Sequence, residues 1–219
     1  MRTVIAGGHG KIALRLATLL AGRGDEVVGV VRNPDHREDV EATGATCVVL
    51  DLESAGAGDL APHLEGADSV VFAAGAGPNS GAARKDTVDR AAAELLADAA
   101  AQAGVRRYLL VSSTGVDAEP SADRGEVWAA YLRAKKAAEE AIRATDLDWT
   151  ILRPGLLTDA PGTGRVLLAP TPVEKGEISR DDTACVLATL LDAPYTAGMV
   201  LELHDGDQEI HDAVARLRS

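Results

Sequence analysis

Short apolar runs rich in β-branched residues alternate with alanine-rich stretches of helical period along the first two-thirds of the chain. Six runs read as strands, at 2–6, 26–31, 46–50, 69–74, 107–112 and 148–152. Between them, Ile12, Leu16, Leu19 and Leu20 put an apolar stripe on a helix over 11–22 that stops at Gly22-Arg23-Gly24, and helices also fit 36–43, 84–103 and 127–144. The strand runs, such as Val27-Val28-Gly29-Val30-Val31 and Ser69-Val70-Val71-Phe72-Ala73-Ala74, are apolar almost throughout instead of alternating. Strands of that kind are covered on both faces, so the pattern predicts an α/β fold with a doubly wound, mostly parallel sheet. After Arg153-Pro154-Gly155 the rhythm changes to a Pro/Gly-rich segment, a helix at 181–192, a strand at 198–204 and a last helix at 210–217. The expectation is one domain over 1–219, with 156–219 contributing a small C-terminal lobe.

Composition narrows the partners. With 22 Lys+Arg against 34 Asp+Glu among 219 residues, the net charge of −12 repels polyphosphate backbones, and 3% aromatics leave few stacking platforms for bases. Nucleic acid is therefore excluded as the expected partner. Cys47 and Cys185 have neither C-x-x-C spacing nor a histidine cluster nearby, so they read as small apolar residues in a reducing compartment, and no metal site is expected. No run approaches the roughly 18 apolar residues of a membrane span, and Gly7-Gly8-His9-Gly10-Lys11 interrupts the first apolar run before a signal-peptide core could form. The expected location is the cytoplasm.

The first predicted turn carries the strongest chemical signal. Gly7, Gly10 and Ala13 stand at G-x-x-G-x-x-A spacing between a strand and a helix, the context of a dinucleotide-binding turn on a Rossmann-type sheet. Gly7 permits a sharp turn, Gly10 lets backbone approach a pyrophosphate, and Ala13 lets the helix lie close to the sheet. A magnesium-binding P-loop is excluded, because Ile12 stands where its hydroxyl would be. His9 reads either as a phosphate donor or as loop filler. At the end of the second strand Arg32 offers a guanidinium for a 2′-phosphate, and no acid follows until Asp35, so NADP(H) is favoured over NAD(H). Asp51 fits an acceptor for the adenine amino group, or equally a turn residue. Ala73, Ala74 and Gly75 at the end of the fourth strand are small enough for a ribose to lie against backbone.

A proton-transfer group is predicted on the helix over 127–144. Tyr131 and Lys135 share one face with Trp128, Leu132 and Ile142, and Lys135 stands near the middle of that stripe, where packing alone would place an apolar residue. An ammonium beside a phenol favours the ionised phenol and readies it to exchange a proton with a carbonyl or alcohol. Ser112-Ser113-Thr114 ends the fifth strand, and Ser113 is the hydroxyl chosen to fix the carbonyl oxygen. The competing reading makes Tyr131 a core aromatic and pairs Lys135 with Glu139 at i, i+4 on the surface. Arg84, Lys85 and Asp89, where a helix opens after the fourth strand, read as a solvated face unless the substrate reaches them.

These residues resemble the short-chain dehydrogenase/reductase superfamily, in particular its small atypical branch of NAD(P)H-binding proteins related to NmrA-like and biliverdin- or flavin-reductase-like members. The matching stretches are Gly7 to Ala13, Val31-Arg32-Asn33-Pro34, Val111-Ser112-Ser113, Tyr131 to Lys135, Asp148 to Gly155 and Ile178-Ser179-Arg180-Asp181-Asp182. The resemblance implies that Gly7, Gly10, Lys11 and Ile12 bind pyrophosphate, Arg32 the 2′-phosphate, Asp51 and Leu52 the adenine, and Pro154 and Gly155 the region beside nicotinamide. It also matches Ser113, Tyr131 and Lys135 to the catalytic trio, with Lys135 holding the nicotinamide ribose. The 18 positions from Ser113 to Tyr131 exceed the usual interval, so the stretch including Asp117-Ala118-Glu119-Pro120 has to bulge outward.

Only 64 residues follow Gly155, small for the substrate lobe of a nucleotide-sugar epimerase. The expected function is an NADP(H)-dependent oxidoreductase acting on a small carbonyl, quinone or flavin-like compound. Two other readings stay open: a non-catalytic NADP(H) redox sensor of NmrA type that signals to a protein partner, and an epimerase/dehydratase-like enzyme.

Overall fold

Val4 stands in register between Val28 and Val70, and Ala6 between Val30 and Phe72, so adjacent parallel strands stack apolar side chains in layers on one face of the sheet. The computed structural model describes residues 1–77, 80–119, 125–170, 173 and 176–218. Its first half runs β1 (Arg2–Ala6), α1 (Lys11–Gly22), β2 (Glu26–Val31), α2 (Arg37–Glu41), β3 (Thr46–Val49), α3 (Ala57–Leu64), β4 (Ser69–Phe72), α4 (Ala82–Arg84) and α5 (Ala92–Ala103). The second half runs β5 (Arg107–Val111), α6 (Gly125–Arg143), β6 (Asp148–Pro154), β7 (Leu156–Thr158), β8 (Arg165–Ala169), β9 (Glu177–Ser179), α7 (Arg180–Leu191), β10 (Met199–Asp205), β11 (Gln208–Glu209) and α8 (Ile210–Ala215).

Among the described residues nine strands join in the order β11-β8-β10-β6-β5-β4-β1-β2-β3. All pairs from β3 to β10 are parallel, and β8 and β11 close that edge antiparallel. The order reverses at β1, with β2 on one side and β4 on the other; open α/β sheets bind ligands at the carboxyl ends of the strands flanking such a reversal. Alternate strand residues feed two cores. Ile5, Val71 and Leu109 pack with α1 and α7 on one face, and Val4, Phe72 and Leu110 with α3, α5 and α6 on the other. Both faces are covered, as the unbroken apolar runs require.

Several boundaries differ from the expected ones. The helix expected at 36–43 is a short 3₁₀ turn, Pro34–His36, followed by α2. The helix expected over 84–103 begins at Ala82, and its Lys85–Ala91 segment winds as a π-helix. α3 went unread because Gly56, Gly58 and Pro62 disguise it. It is held by Leu60 and Leu64, both fully buried one turn apart, and by the Asp59 carboxylate, which accepts from Gly56 N. The Pro/Gly-rich segment after Gly155 contains β7, β8 and β9; β7 and β9 pair parallel as a separate ribbon. Cys47 is buried and Cys185 half-buried, both unpaired, and burial pushes both thiols up. Among the described residues no helix is long and apolar enough to cross a membrane, and no cluster of three or more His, Cys, Asp or Glu side chains could hold a metal.

Candidate functional site

The carboxyl ends of β1, β2, β3, β4 and β5 bring the candidate residues to one edge of the sheet. At β1 the chain reverses tightly: Gly7 N and Gly8 N both donate to Val30 O, at 3.1 and 2.9 Å, and Gly10 N donates to Gly7 O at 2.8 Å. Gly7 has φ +82°, and a Cβ there would lie 2.5 Å from Ala74 Cα, so only glycine fits where β1 and β4 separate. Gly10 caps α1 without a side chain, and the first turn of the helix holds no acid. The amino end of a 12-residue helix is thus left open to an anion. Ile12 and Ala13 are buried beneath it. The Lys11 ammonium extends over the rim to Asp159 Oδ2 at 2.6 Å, and Arg180 donates to the other oxygen at 2.9 Å. Those cations, Lys11 foremost, hold the Asp159 carboxyl below its usual range. These features fit a dinucleotide diphosphate. His9 turns toward the α2 side: its Nε2 is 2.8 Å from Asp39 Oδ2, and its ring stacks on His36 at 3.6 Å.

At the ends of β2 and β3, Arg32 Nη1 donates to Glu53 Oε2 at 2.8 Å. Arg84 donates to the same carboxylate from Nη2 at 2.5 Å and from Nε at 3.3 Å, and Thr87 Oγ1 donates at 2.7 Å. The Asp51 side chain accepts from Glu53 N at 3.1 Å, so it forms the turn that carries Glu53. Leu52 is half-buried against the β-branched core beside it. Ala73 N donates to Ala6 O at 3.0 Å, which leads Ala73, Ala74 and Gly75 off the end of β4 along the Gly7 turn.

The expectation that Arg84, Lys85 and Asp89 form a solvated face is corrected by the structure. Arg84 is bonded to Glu53, while Lys85 and Asp89 are 6% and 0% exposed and face α6 from the π-helical turn. π-turns of this kind occur frequently at functional sites. Lys85 Nζ donates to Gly77 O at 2.6 Å and stands 5.4 Å from the centre of the Tyr131 ring. Among the described residues no carboxylate pairs with it. Lys135 Nζ donates to Val111 O at 3.0 Å, lies 3.3 Å from Asp89 Oδ1, and stands 6.0 Å from the Tyr131 ring centre. Asp89 Oδ2 accepts from Ala76 N at 3.2 Å.

Tyr131 thus has two lysines near its ring, with Trp128 packed at 5.2 Å, and its hydroxyl makes no hydrogen bond among the described residues. The surface pairing of Lys135 with Glu139 does not occur. Glu139 is buried, accepting from Ser112 Oγ at 2.6 Å and from Arg153 Nε and Nη2 at 2.9 and 2.6 Å. The Arg153–Glu139 pair ties β6 to α6, and Arg153 Nη1 also donates to Asp117 at 2.6 Å, which holds the Asp117 carboxyl low. Ser113, half-buried, donates to Thr114 O at 3.1 Å and makes no hydrogen bond to Tyr131. Pro154 O accepts from Thr114 N at 3.1 Å, and Gly155 N donates to Leu203 O at 2.9 Å, which puts Pro154 and Gly155 beside the end of β5. Pro120 and residues 121–124, the later part of the predicted bulge, lie outside the described residues.

Glu53 carries no signal in the sequence, whereas Arg84, Lys85 and Asp89 read there as a solvated face, Glu139 as a surface partner of Lys135 and Arg153 only as part of a matching stretch. The Ser179-Arg180-Asp181-Asp182 stretch serves the lobe: Ser179 caps α7, Asp182 accepts from the backbone of Thr163 and Gly164 at 2.8 Å each, and Asp181 binds Arg15.

Comparison with known proteins follows the same geometry. The pattern of a family described as NAD(P)H-binding matches residues 7–194. An uncharacterized sugar epimerase of Bacillus subtilis (strain 168) is 34% identical over 99% of this chain and 100% of its own length. A solved structure of a putative NAD-dependent epimerase/dehydratase from Bacillus halodurans is 34% identical, with a TM-score of 0.90 over 99% of each chain. A solved anaerobilin reductase from Escherichia coli O157:H7 is 25% identical, with a TM-score of 0.81 over 95% of this chain and 98% of the other. The chain belongs to the NAD(P)H-binding family, with a Rossmann-type oxidoreductase fold of the atypical short-chain dehydrogenase/reductase kind.

Proposed function

We propose that the protein is an NADP(H)-dependent oxidoreductase acting on a small carbonyl, quinone or flavin-like substrate, with Tyr131 as the proton donor or acceptor. The observation that carries this reading is the Tyr131 ring with two buried lysines 5.4 and 6.0 Å from its centre, beside the edge of the sheet where the Gly7–Gly10 turn opens. When bound, nicotinamide supplies or accepts the hydride. Tyr131 moves the proton at the substrate oxygen, and Lys135, fixed by Asp89 and Val111 O, keeps positive charge beside the phenol and holds the nicotinamide ribose. Ser113 orients the substrate oxygen. Gly7, Gly10, Lys11 and Ile12 hold the diphosphate, with the His9 ring engaged by Asp39 and His36 instead, Arg32 the 2′-phosphate, Asp51 and Leu52 the adenine, Ala73, Ala74 and Gly75 the adjacent ribose, and Pro154 and Gly155 the nicotinamide side.

The test is NADPH oxidation, followed by its absorbance, against a panel of quinones, aldehydes and flavins. Substrate-dependent oxidation that disappears in Lys135→Ala supports the enzyme; oxidation indifferent to both Tyr131→Phe and Lys135→Ala removes the trio from the mechanism. The names of the two relatives at 34% identity favour a second reading, an epimerase or dehydratase that uses the same Tyr131 and Lys135. Such an enzyme returns the hydride to its substrate and leaves no net oxidised cofactor. Tight NADPH binding with neither reaction would leave the redox sensor.

A further inference from the structure

Glu53 gathers donors from three separate segments: Arg32 from the end of β2, Arg84 from α4 and Thr87 from the π-helical turn. Its two carboxylate oxygens receive four bonds, at 2.8, 2.5, 3.3 and 2.7 Å. Two guanidiniums and a hydroxyl converging on one anion form a donor set suited to a phosphate monoester, whose three terminal oxygens offer each arginine fork a pair of acceptors. Here the anion belongs to the chain itself. It lies in the loop that follows β3, beside Asp51 and Leu52, and both arginines remain partly open to solvent, with side chains 53% and 40% exposed.

We infer that Glu53 stands in for the ribose 2′-phosphate in the ligand-free protein, and that Arg84 is the second arm, with Arg32, that receives this phosphate when Glu53 swings away. The inference rests on the dinucleotide reading above and adds two residues that decide which dinucleotide is taken. A carboxylate brings one negative charge; a phosphate monoester brings about 1.5 to 2 near neutrality, with three acceptor oxygens. Two fixed guanidiniums therefore favour the phosphate once it arrives. Glu53 sits in a surface loop, so its departure breaks only exposed ion pairs, which contribute little individually. A ligand without the 2′-phosphate leaves Glu53 in place and gains nothing from Arg84. Strong pairing also keeps Glu53 ionised far into the acid range, with its carboxyl lowered to about 2 by Arg84 first and then by Thr87 and Arg32. At neutral pH it therefore competes with the phosphate as a full anion.

The experiment is titration calorimetry on the full chain at fixed, low ionic strength, with adenosine 2′,5′-bisphosphate and adenosine 5′-monophosphate as probes, then NADPH and NADH. Wild type is expected to bind the bisphosphate more tightly than the monophosphate. Arg84→Ala is expected to weaken the bisphosphate about tenfold, the loss of a charge-assisted bond pair, with the monophosphate changed less than about twofold. Glu53→Gln and Glu53→Ala, which remove the competing anion, are both expected to strengthen the bisphosphate severalfold and leave the monophosphate unaltered. The inference is overturned if both Glu53 variants weaken the bisphosphate or leave it unchanged. Equal losses for the two probes in Arg84→Ala also overturn it, because they would place Arg84 on the adenine or in the fold. If Arg32→Ala alone discriminates between the probes, the Glu53 and Arg84 assignment fails while the cofactor reading stands. If wild type binds neither NADPH nor NADH, the underlying reading fails first.

Discussion

Lys135 Nζ lies 3.3 Å from Asp89 Oδ1, and the two side chains are 5% and 1% exposed, so the cation central to the proposed site is held by an acid on a different helical segment. A buried pair of this kind has a characteristic mutational signature. Asp89→Asn removes the counter-charge and strands the ammonium, with an expected loss of about 3 kcal/mol in urea unfolding. Adding Lys135→Met to the same chain is expected to recover most of that loss, because no charge is then left uncompensated. Strictly additive effects would mean that the two groups are not energetically coupled.

Tyr131→Phe keeps the ring among Trp128, Lys85 and Lys135 but removes the hydroxyl. Turnover is expected to fall about 10²- to 10⁴-fold, with NADPH affinity nearly unchanged. A loss of only a few-fold would remove Tyr131 from proton transfer.

Lys85 separates function from stability more sharply. Its amine is buried, and among the described residues its acceptor is Gly77 O and no carboxylate pairs with it, so a packed apolar replacement relieves a desolvated charge. Lys85→Met is therefore expected to leave unfolding free energy unchanged or to raise it. Positive charge near the Tyr131 ring favours negative charge developing there or on the substrate oxygen, so turnover should drop about tenfold or more. A variant less stable and fully active would make Lys85 structural only.

What the residue pattern reveals, and what it hides, follows from the range of the interactions. β1, β2, β4 and β5 are legible because successive residues such as Val4 and Ile5, or Val70 and Val71, are apolar and cover both faces, and the Gly7 turn because its demand on φ is local. The Glu53 cluster is not legible: Arg32 at the end of β2, Glu53 in the loop after β3 and Arg84 in α4 meet only when the three segments fold together. Lys85 and Asp89 are misread for a different reason. Charged side chains are rarely buried unless paired, so residue type assigns them to solvent, although Asp89 stands four residues before Ala93 and seven before Leu96, on the buried face of α5. β7, β9 and β11 are two or three residues long, too short to show a period.

Acid should expose the Glu53 cluster. Its carboxyl is lowered from 4.5 to about 2, so the folded state binds that proton less readily than the unfolded chain does. The stabilisation is complete above 4.5 and is lost as pH falls toward 2, because the unfolded state then takes up the proton first. Urea unfolding of wild type and Glu53→Gln should differ modestly at pH 7 and converge on acidification across that window. A gap that widens toward pH 2 would contradict the ion-paired arrangement.

The Gly7 turn supplies the test that joins fold to ligand. In Gly7→Ala the residue at φ +82° would pay about 1 kcal/mol for the left-handed conformation alone. The new Cβ would also stand 2.5 Å from Ala74 Cα, and because that Cβ is fixed to its own backbone and meets backbone, β1 and β4 must part at their carboxyl ends to relieve the contact. The expected loss of stability exceeds about 2 kcal/mol. The same movement displaces Gly10 from Gly7 O, so the start of α1 shifts and NADPH affinity falls with it. Gly22→Ala is the control on the other end of α1, since a Cβ there meets nothing within 4 Å. That variant should gain up to about 1 kcal/mol from helix propensity and bind NADPH as wild type does. Should Gly7→Ala unfold early yet retain full cofactor affinity in its folded fraction, the turn would be structural and the diphosphate would have to be held elsewhere.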